Sequence, residues 1–206
     1  MVELHARGRG VARSRATDDV DVVVDVAAGR LTASSVFGAL VQAGFALDRS
    51  KERAYRYTRG VEIVDVMVPS GVRARLAQRP VLTVEAGAQA IQRRELWQVS
   101  DEQSQFDVWA PSLTGALISK GAAYTVDPRD KLRHLQDAAA LFAIDQDVSE
   151  MELDALTSKD RRRLRAVIDV LLDQNHRAWL DVERSHRDIG HRQLQRVRLA
   201  AGLESA

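Results

Sequence analysis

The sequence has no cysteine in its 206 residues. Without thiols, disulfide bonds and thiolate-bound metal sites are excluded. No apolar run approaches the roughly 20 residues that a membrane-spanning helix needs. The first residues, MVELHARGRG, lack the apolar segment of a signal peptide. We therefore expect a soluble, cytoplasmic protein with no membrane partner.

An excess of charge of one sign is also missing, because 30 basic residues face 29 acidic ones and the formal net charge is +1. Overall charge therefore offers no argument for binding to nucleic acid or membranes, and any basic surface must be local. Lysine is scarce, since nearly all of the basic residues are arginine. A lysine in an unusual setting is therefore informative; the lysines are Lys51, Lys120, Lys131 and Lys159.

Hydrophobic periodicity predicts a mixed α+β fold, with a small mixed sheet flanked by helices and a C-terminal helical region. The predicted strands cover residues 19–26, 53–57, 63–68, 95–99 and 106–109. The predicted helices cover residues 33–43, 87–93, 111–124 and 129–142, and residues 148–203 are helical in pattern throughout. We therefore expect a core domain over residues 1–145 and a helical region over residues 146–206.

The stretch RATDDVDVVVDV combines valine, which favours strands, with aspartate, which does not. Asp19 and Asp21 share one face of the predicted strand and Asp25 extends the row, while alternate valines face the core. Neighbouring carboxylates raise each other's pKa unless a cation neutralises them, and Mg²⁺ prefers such oxygen ligands. The valines predicted to face the core are Val20, Val22 and Val24. The alternative is an edge strand with a solvated acidic face.

A second acidic strand, GVEIVDVMVPSG, carries Asp65 within an apolar run. A lone buried carboxylate is costly without a partner. If this strand neighbours the first, Asp65 completes a three-carboxylate metal site suited to two-metal phosphoryl or nucleotidyl transfer. The alternative is that Asp65 pairs with an arginine from the segment 53–59.

Lys120 interrupts the small and apolar segment PSLTGALISKGAAYTV. A lysine there supplies a compact point charge suited to a phosphate, or it is a snorkelling residue at the helix edge. In the next helix Asp137 lies among apolar residues, where it can accept a hydrogen bond from Lys120, a sugar hydroxyl or His134. The alternative is a surface group of Asp130, Arg133 and Asp137.

Four motifs follow one another in the order of a known family. They are R-x-T-x-D-x-D at Arg15–Asp21, IVDVMVPSG at Ile63–Gly71, EAGAQAIQRRELWQV at Glu85–Val99 and the region from WAPSLTGALISK to RDKLRHLQDAAALF at Trp109–Phe142. Over residues 5–145 the chain resembles the AbiEii/AbiGii-type nucleotidyltransferase toxins, which include the MenT toxins. The resemblance implies a DNA polymerase β-like nucleotidyltransferase fold, Mg²⁺, a nucleoside triphosphate and a cognate antitoxin. It also implies transfer of a nucleotide to the 3′ end of tRNA or another RNA.

The same resemblance implies roles for individual residues. The metal ligands would be Asp19, Asp21 and Asp65. The catalytic residues would be Asp19, Asp21, Lys120 and Asp137, and the nucleotide would be bound by Arg15, Thr17 and Lys120.

One feature departs from the family, which opens with a Gly-Gly or Gly-Ser turn that offers backbone N–H groups to the triphosphate. The segment LHARGRG is typical of the end of the helix that follows this turn, and Gly8 and Gly10 do not take its place. Either the start lies upstream in the natural gene or the turn is missing. We therefore also consider an impaired protein that binds a nucleotide or partner, and transfer to a protein or small molecule.

The C-terminal region is locally basic, with DRRRLR at residues 160–165 and further arginines up to Arg198. Arginines on a helix face can contact RNA phosphates, although charged helix faces are more commonly solvated. Trp179 is expected to pack in the core rather than stack on a base.

Overall fold

A computed structural model of the chain describes residues 1–12, 19–25, 33–100 and 104–204. Small sheets and helices alternate along it, which confirms a mixed α+β class. The chain divides into a sheet unit, Thr17–Ile91, and a helical unit, Met1–Ala16 with Gln92–Ala206. The division at residue 145 stays a prediction, and residues on both sides of it belong to the helical unit. Within the described ranges, no helix is long and apolar enough to cross a membrane.

The sheet unit is built on strand β4 (Glu62–Pro69), which pairs in parallel with β1 (Asp19–Val23) and β7 (Leu82–Val84). On its other side β4 pairs antiparallel with β3 (Arg56–Arg59), and β3 with β2 (Ala46–Leu47). The remaining elements of the unit are the strand pair β5 (Arg75–Leu76) and β6 (Arg79–Pro80) and the helices α2 (Ala33–Gln42) and α3 (Gly87–Gln92).

The core of the sheet unit lies on one face of β4. The run of β-branched residues in β4 suits a central strand, and Val66 and Val68 are fully buried. Phe37 of α2 stacks on Tyr57 of β3 with ring centroids 5.7 Å apart, and burial raises the pKa of Tyr57 to about 12. Alternation along the strand therefore turns Asp65 to the opposite face.

Strand β1 differs from the prediction in length and in its apolar face. The described strand ends at Val23, and Val20 is 59% exposed, so the prediction that Val20 faces the core was wrong. Val24, just after β1, joins the buried cluster with Phe37 and Tyr57. Strand β1 lies at the end of the described strand order and pairs with β4 alone, so its side chains have sheet neighbours on one side only.

The helical unit packs four long helices with a hairpin. The helices are α4 (Leu113–Val126), α5 (Lys131–Phe142), α6 (Ser158–Leu171) and α7 (Arg184–Ala200); the short α1 (Val2–Gly8) and the antiparallel pair β8 (Arg94–Ser100) and β9 (Gln105–Pro111) accompany them. Short 3₁₀ segments at Val148–Met151, Leu153–Ala155 and Arg177–Asp181 interrupt the region predicted as helical. Trp179 is 1% exposed and its Nε1 donates to the Leu171 carbonyl at 3.1 Å, which confirms its core position.

Helices α4 and α5 each begin two residues after their predicted starts. Helix α4 is capped by Ser112, because Pro111 pairs with Arg94 as the last residue of β9. Helix α6 begins at Ser158 and is capped by Thr157. A capping box explains this choice, since Thr157 and Asp160 exchange side-chain and backbone hydrogen bonds of 3.2 Å.

Helices α4 and α6 approach each other closely at Gly121. A Cβ atom at this position would overlap the backbone carbonyl of Arg163, which belongs to a rigid helix and cannot move aside easily. Glycine is therefore required by packing rather than by backbone conformation.

We expect Gly121→Ala to lower the free energy of unfolding by about 1–3 kcal/mol, because overpacking forces the two helices apart. The control is Gly38→Ala in α2, where a Cβ meets nothing within 4 Å. That change should stabilise by up to about 1 kcal/mol through helix propensity. Thermal unfolding followed by circular dichroism measures both, and an unchanged Gly121→Ala transition would contradict the close packing.

Candidate functional site

Strand pairing gathers three carboxylates on one face of the sheet. Strands β1 and β4 run parallel with Asp21 directly opposite Asp65, and Asp19 shares the face of Asp21. Each of the three offers a carboxylate oxygen, and these oxygens lie within 4.8 Å of one another. The condition that the two acidic strands be neighbours is therefore met. Asp21 is exposed, Asp19 is half-buried and Asp65 is 7% exposed.

An arginine on the third strand completes this group. Arg56 of β3 stands opposite Asp65 in the antiparallel register with β4. Its Nε donates to Oδ1 of Asp65 at 2.8 Å and its Nη2 donates to Oδ2 at 2.7 Å. The same Nη2 lies 4.0 Å from Oδ2 of Asp19. Pairing of Asp65 with an arginine from residues 53–59, the alternative from the sequence, is thus confirmed.

The electrostatics keep Arg56 charged. Its hydrogen bonds to Asp65 raise the pKa of the guanidinium above its ordinary value, against the opposing effect of burial. A planar guanidinium that meets both oxygens of a carboxylate forms a strong and directional pair. We call Asp19, Asp21, Asp65 and Arg56 the acidic cluster.

The donor atoms of Asp19 and Asp21 fit a magnesium ion. Carboxylate oxygens are the hard ligands that Mg²⁺ takes, and one or two of them commonly suffice when water and phosphate oxygens supply the rest. The exposure of Asp21 leaves space for such further ligands. Both oxygens of Asp65 accept hydrogen bonds from Arg56.

Two predicted nucleotide-binding residues, Arg15 and Thr17, lie outside the described residues. Of the R-x-T-x-D-x-D motif, the described structure therefore places Asp19 and Asp21. The roles of Arg15 and Thr17 stay predictions.

The predicted lysine and the last predicted carboxylate form an ion pair between α4 and α5. Nζ of Lys120 lies 2.7 Å from Oδ2 of Asp137, and their side chains are 18% and 3% exposed. Lys120, one of the partners considered from the sequence, is therefore a partner of Asp137. A surface role for Asp137 is wrong, because its residue is 2% exposed.

His134 lies beside this pair in an unusual environment. Its ring nitrogens are buried and have no hydrogen-bond partner among the described residues, although Nε2 lies 3.7 Å from Oδ2 of Asp127. Burial lowers the pKa of His134, and the charge of Lys120 lowers it further. The neutral imidazole is therefore favoured in the folded chain.

Lys120 and Asp137 belong to the helical unit, whereas the acidic cluster belongs to the sheet unit. The expectation that Lys120 and the carboxylates act on one polyphosphate stays a prediction.

The sequence did not single out Arg56 or Asp127 as site residues. Arg56 was within reach of sequence reasoning, because a tight hairpin around Gly60 pairs residues whose positions are equally far from the turn, and Asp65 is the counterpart of Arg56. Asp127 lies in a loop before α5, where no periodicity indicates its neighbours.

The structure sorts the basic residues of the C-terminal region into two sets. The first set stabilises the fold: Arg163 is buried near Asp160, Arg187 donates to the Val182 carbonyl at 2.8 Å, and Arg161 donates to the Ala201 carbonyl. The second set lies on exposed positions of α6 and α7, namely Lys159, Arg162, Arg165, Arg184, Arg192 and Arg196. The exposed set is the one that could meet a polyanion.

Comparison with known proteins finds no protein-family model, no curated protein and no solved structure that matches the chain. The function is therefore inferred from the residues themselves and from their geometry.

The burial of Asp137 predicts an asymmetric response to breaking its ion pair. We expect Lys120→Met to lower the free energy of unfolding by about 3 kcal/mol, because it removes a cation from a buried carboxylate. Asp137→Asn should cost less, because Lys120 is partly exposed and can turn to water. Urea unfolding of both variants and of the double variant measures the coupling. A larger cost for Asp137→Asn, or no coupling, would contradict the pair.

The environment of His134 predicts a pH dependence of stability. Its pKa in the folded chain is below the ordinary 6.5, so around that pH the unfolded chain binds more protons. Stability from the neutral imidazole is therefore present above the unfolded pKa and is lost as the pH falls below it. We expect His134→Gln to reduce the loss of unfolding free energy between about pH 7.5 and 5.5. Urea unfolding at both pH values tests this, and an unchanged difference would show that His134 does not contribute.

Proposed function

We propose that this chain is a Mg²⁺-dependent nucleotidyltransferase with a DNA polymerase β-like fold. It transfers a nucleoside monophosphate from a nucleoside triphosphate to the 3′ end of tRNA or another RNA, as the toxin of a toxin–antitoxin pair in the cytoplasm. The observation that carries the proposal is the meeting of Asp19, Asp21 and Asp65 on one face of two parallel strands.

The residues divide the chemistry between them. Asp19 and Asp21 would hold a magnesium ion, which when bound would offset negative charge on the reacting phosphate oxygens. A 3′ hydroxyl of the acceptor forms the new bond to the α-phosphorus, the bond to the β-phosphate oxygen breaks, the hydroxyl proton passes to solvent and pyrophosphate leaves. Lys120 neutralises phosphate charge as a compact cation, and Asp137 holds its Nζ at 2.7 Å.

Support for an RNA acceptor comes from exposed charge on the helical unit. Lys159, Arg162 and Arg165 are exposed on α6, and Arg192 and Arg196 on α7. Basic side chains bind nucleic acid by neutralising phosphates, so RNA affinity should fall as salt concentration rises.

A second candidate is a protein that binds a nucleotide or its partner without turnover. It is favoured by the pair of Arg56 with Asp65, because a carboxylate that accepts two hydrogen bonds from a guanidinium is a poorer metal ligand. Transfer to a protein or to a small molecule is a further possibility for this chemistry.

One incubation separates these functions. The full chain is mixed with total tRNA, Mg²⁺ and each of the four labelled nucleoside triphosphates. Label on tRNA supports the proposal, label on protein supports transfer to protein, and no label with measurable nucleotide binding supports the second candidate. Periodate-oxidised tRNA, which has no 3′ hydroxyl, is the matched control and should remain unlabelled.

We expect Asp19→Asn and Asp21→Asn to abolish transfer while the melting temperature changes by no more than about 2 °C. Each change removes one negative charge from a cluster in which three carboxylates share one guanidinium, and it leaves the apolar core on the other face intact. Glu62→Gln, an exposed change on β4, is the control and should retain activity. Unchanged transfer by Asp21→Asn, or a collapse of stability in either variant, would refute these roles.

A further inference from the structure

We propose that Arg56 is a positioning residue that keeps Asp65 out of the metal shell, so that one divalent cation binds at Asp19 and Asp21 alone. This inference rests on the proposed function and narrows it. It replaces the three-carboxylate, two-metal site expected from the sequence by a two-carboxylate, one-metal site.

The geometry of the Arg56–Asp65 pair is built into the sheet. The two residues are direct partners in the β3–β4 register, so the pairing does not depend on a flexible loop. The two hydrogen bonds of 2.7 and 2.8 Å occupy both carboxylate oxygens of Asp65. The side chain of Asp65 is only 10% exposed, so it has little room to turn away from Arg56.

The charges of the acidic cluster support the same assignment. The acidic cluster as defined here carries a formal charge of −2, the sum of three carboxylates and one guanidinium. Without Arg56 the three carboxylates would carry −3 within a few ångströms, which favours additional cation binding. Arg56 also lies 4.0 Å from Asp19, so its charge acts on both neighbours.

A charge-matched double variant tests whether Asp65 is a metal ligand. In Arg56→Gln with Asp65→Asn, the cluster keeps the charge of −2 and keeps Asp19 and Asp21. We expect Mn²⁺ affinity within about threefold of the unchanged chain, whereas loss of a metal-coordinating carboxylate should weaken binding by about tenfold or more. Calorimetric titration of the full chain with Mn²⁺ measures this without nucleotide, RNA or turnover.

Single variants at Arg56 and at Asp65 should change the Mn²⁺ affinity in opposite directions. Arg56→Gln releases Asp65 and removes a positive charge, so Mn²⁺ should bind about tenfold more tightly. Asp65→Asn leaves Arg56 without its partner beside Asp19, so binding should weaken. The matched control is Arg59→Gln on the same strand, which loses a salt bridge to Glu62 outside the cluster and should leave affinity unchanged.

The unchanged chain provides a measurement that does not depend on the folding of any variant. Electron paramagnetic resonance of free Mn²⁺ should show one tightly bound ion per chain, and two tight ions would overturn the inference. If the chain binds Mn²⁺ and the double variant loses tenfold or more, this inference fails and the proposed function survives. If the chain binds no Mn²⁺, or Asp21→Asn binds as well as the unchanged chain, the metal centre of the proposed function fails as well.

Discussion

The parallel pairing of β1 with β4 is the interaction on which the site depends. It holds Asp21 opposite Asp65 although the two carboxylates repel each other. The opposite face of β4 buries Val66 and Val68, and a shift by one residue would expose these valines. The apolar face therefore fixes a register that the acidic face alone would disfavour, and the guanidinium of Arg56 offsets part of the repulsion.

Local periodicity was sufficient to predict part of this arrangement. The period of two along a strand places Asp19 and Asp21 on one face in any fold that contains the strand. The structure confirms this placement. The order of the strands depends on non-local contacts, so the meeting with Asp65 could be stated only as a condition. An arginine of residues 53–59 was considered as the partner of Asp65, but Arg56 was not singled out, because the choice depends on hairpin register rather than on composition.

The helical unit shows the same limits. An apolar helix with one lysine pointed to Lys120, and the apolar neighbours of Asp137 favoured its burial. Several possible hydrogen-bond donors left the partner of Asp137 open. Pro111 was predicted to open α4 because proline suits a first helical turn. The pairing of β9 with β8 overrides that local preference, and Ser112 caps the helix instead.

The division into two units has an optical consequence. The three tryptophans, Trp97, Trp109 and Trp179, all belong to the helical unit. Intrinsic indole fluorescence therefore follows the environment of that unit, whereas Tyr57 is a buried chromophore of the sheet unit, on the face opposite the acidic cluster. Excitation at the red edge of the tryptophan band, where tyrosine absorbs little, therefore reports on the helical unit.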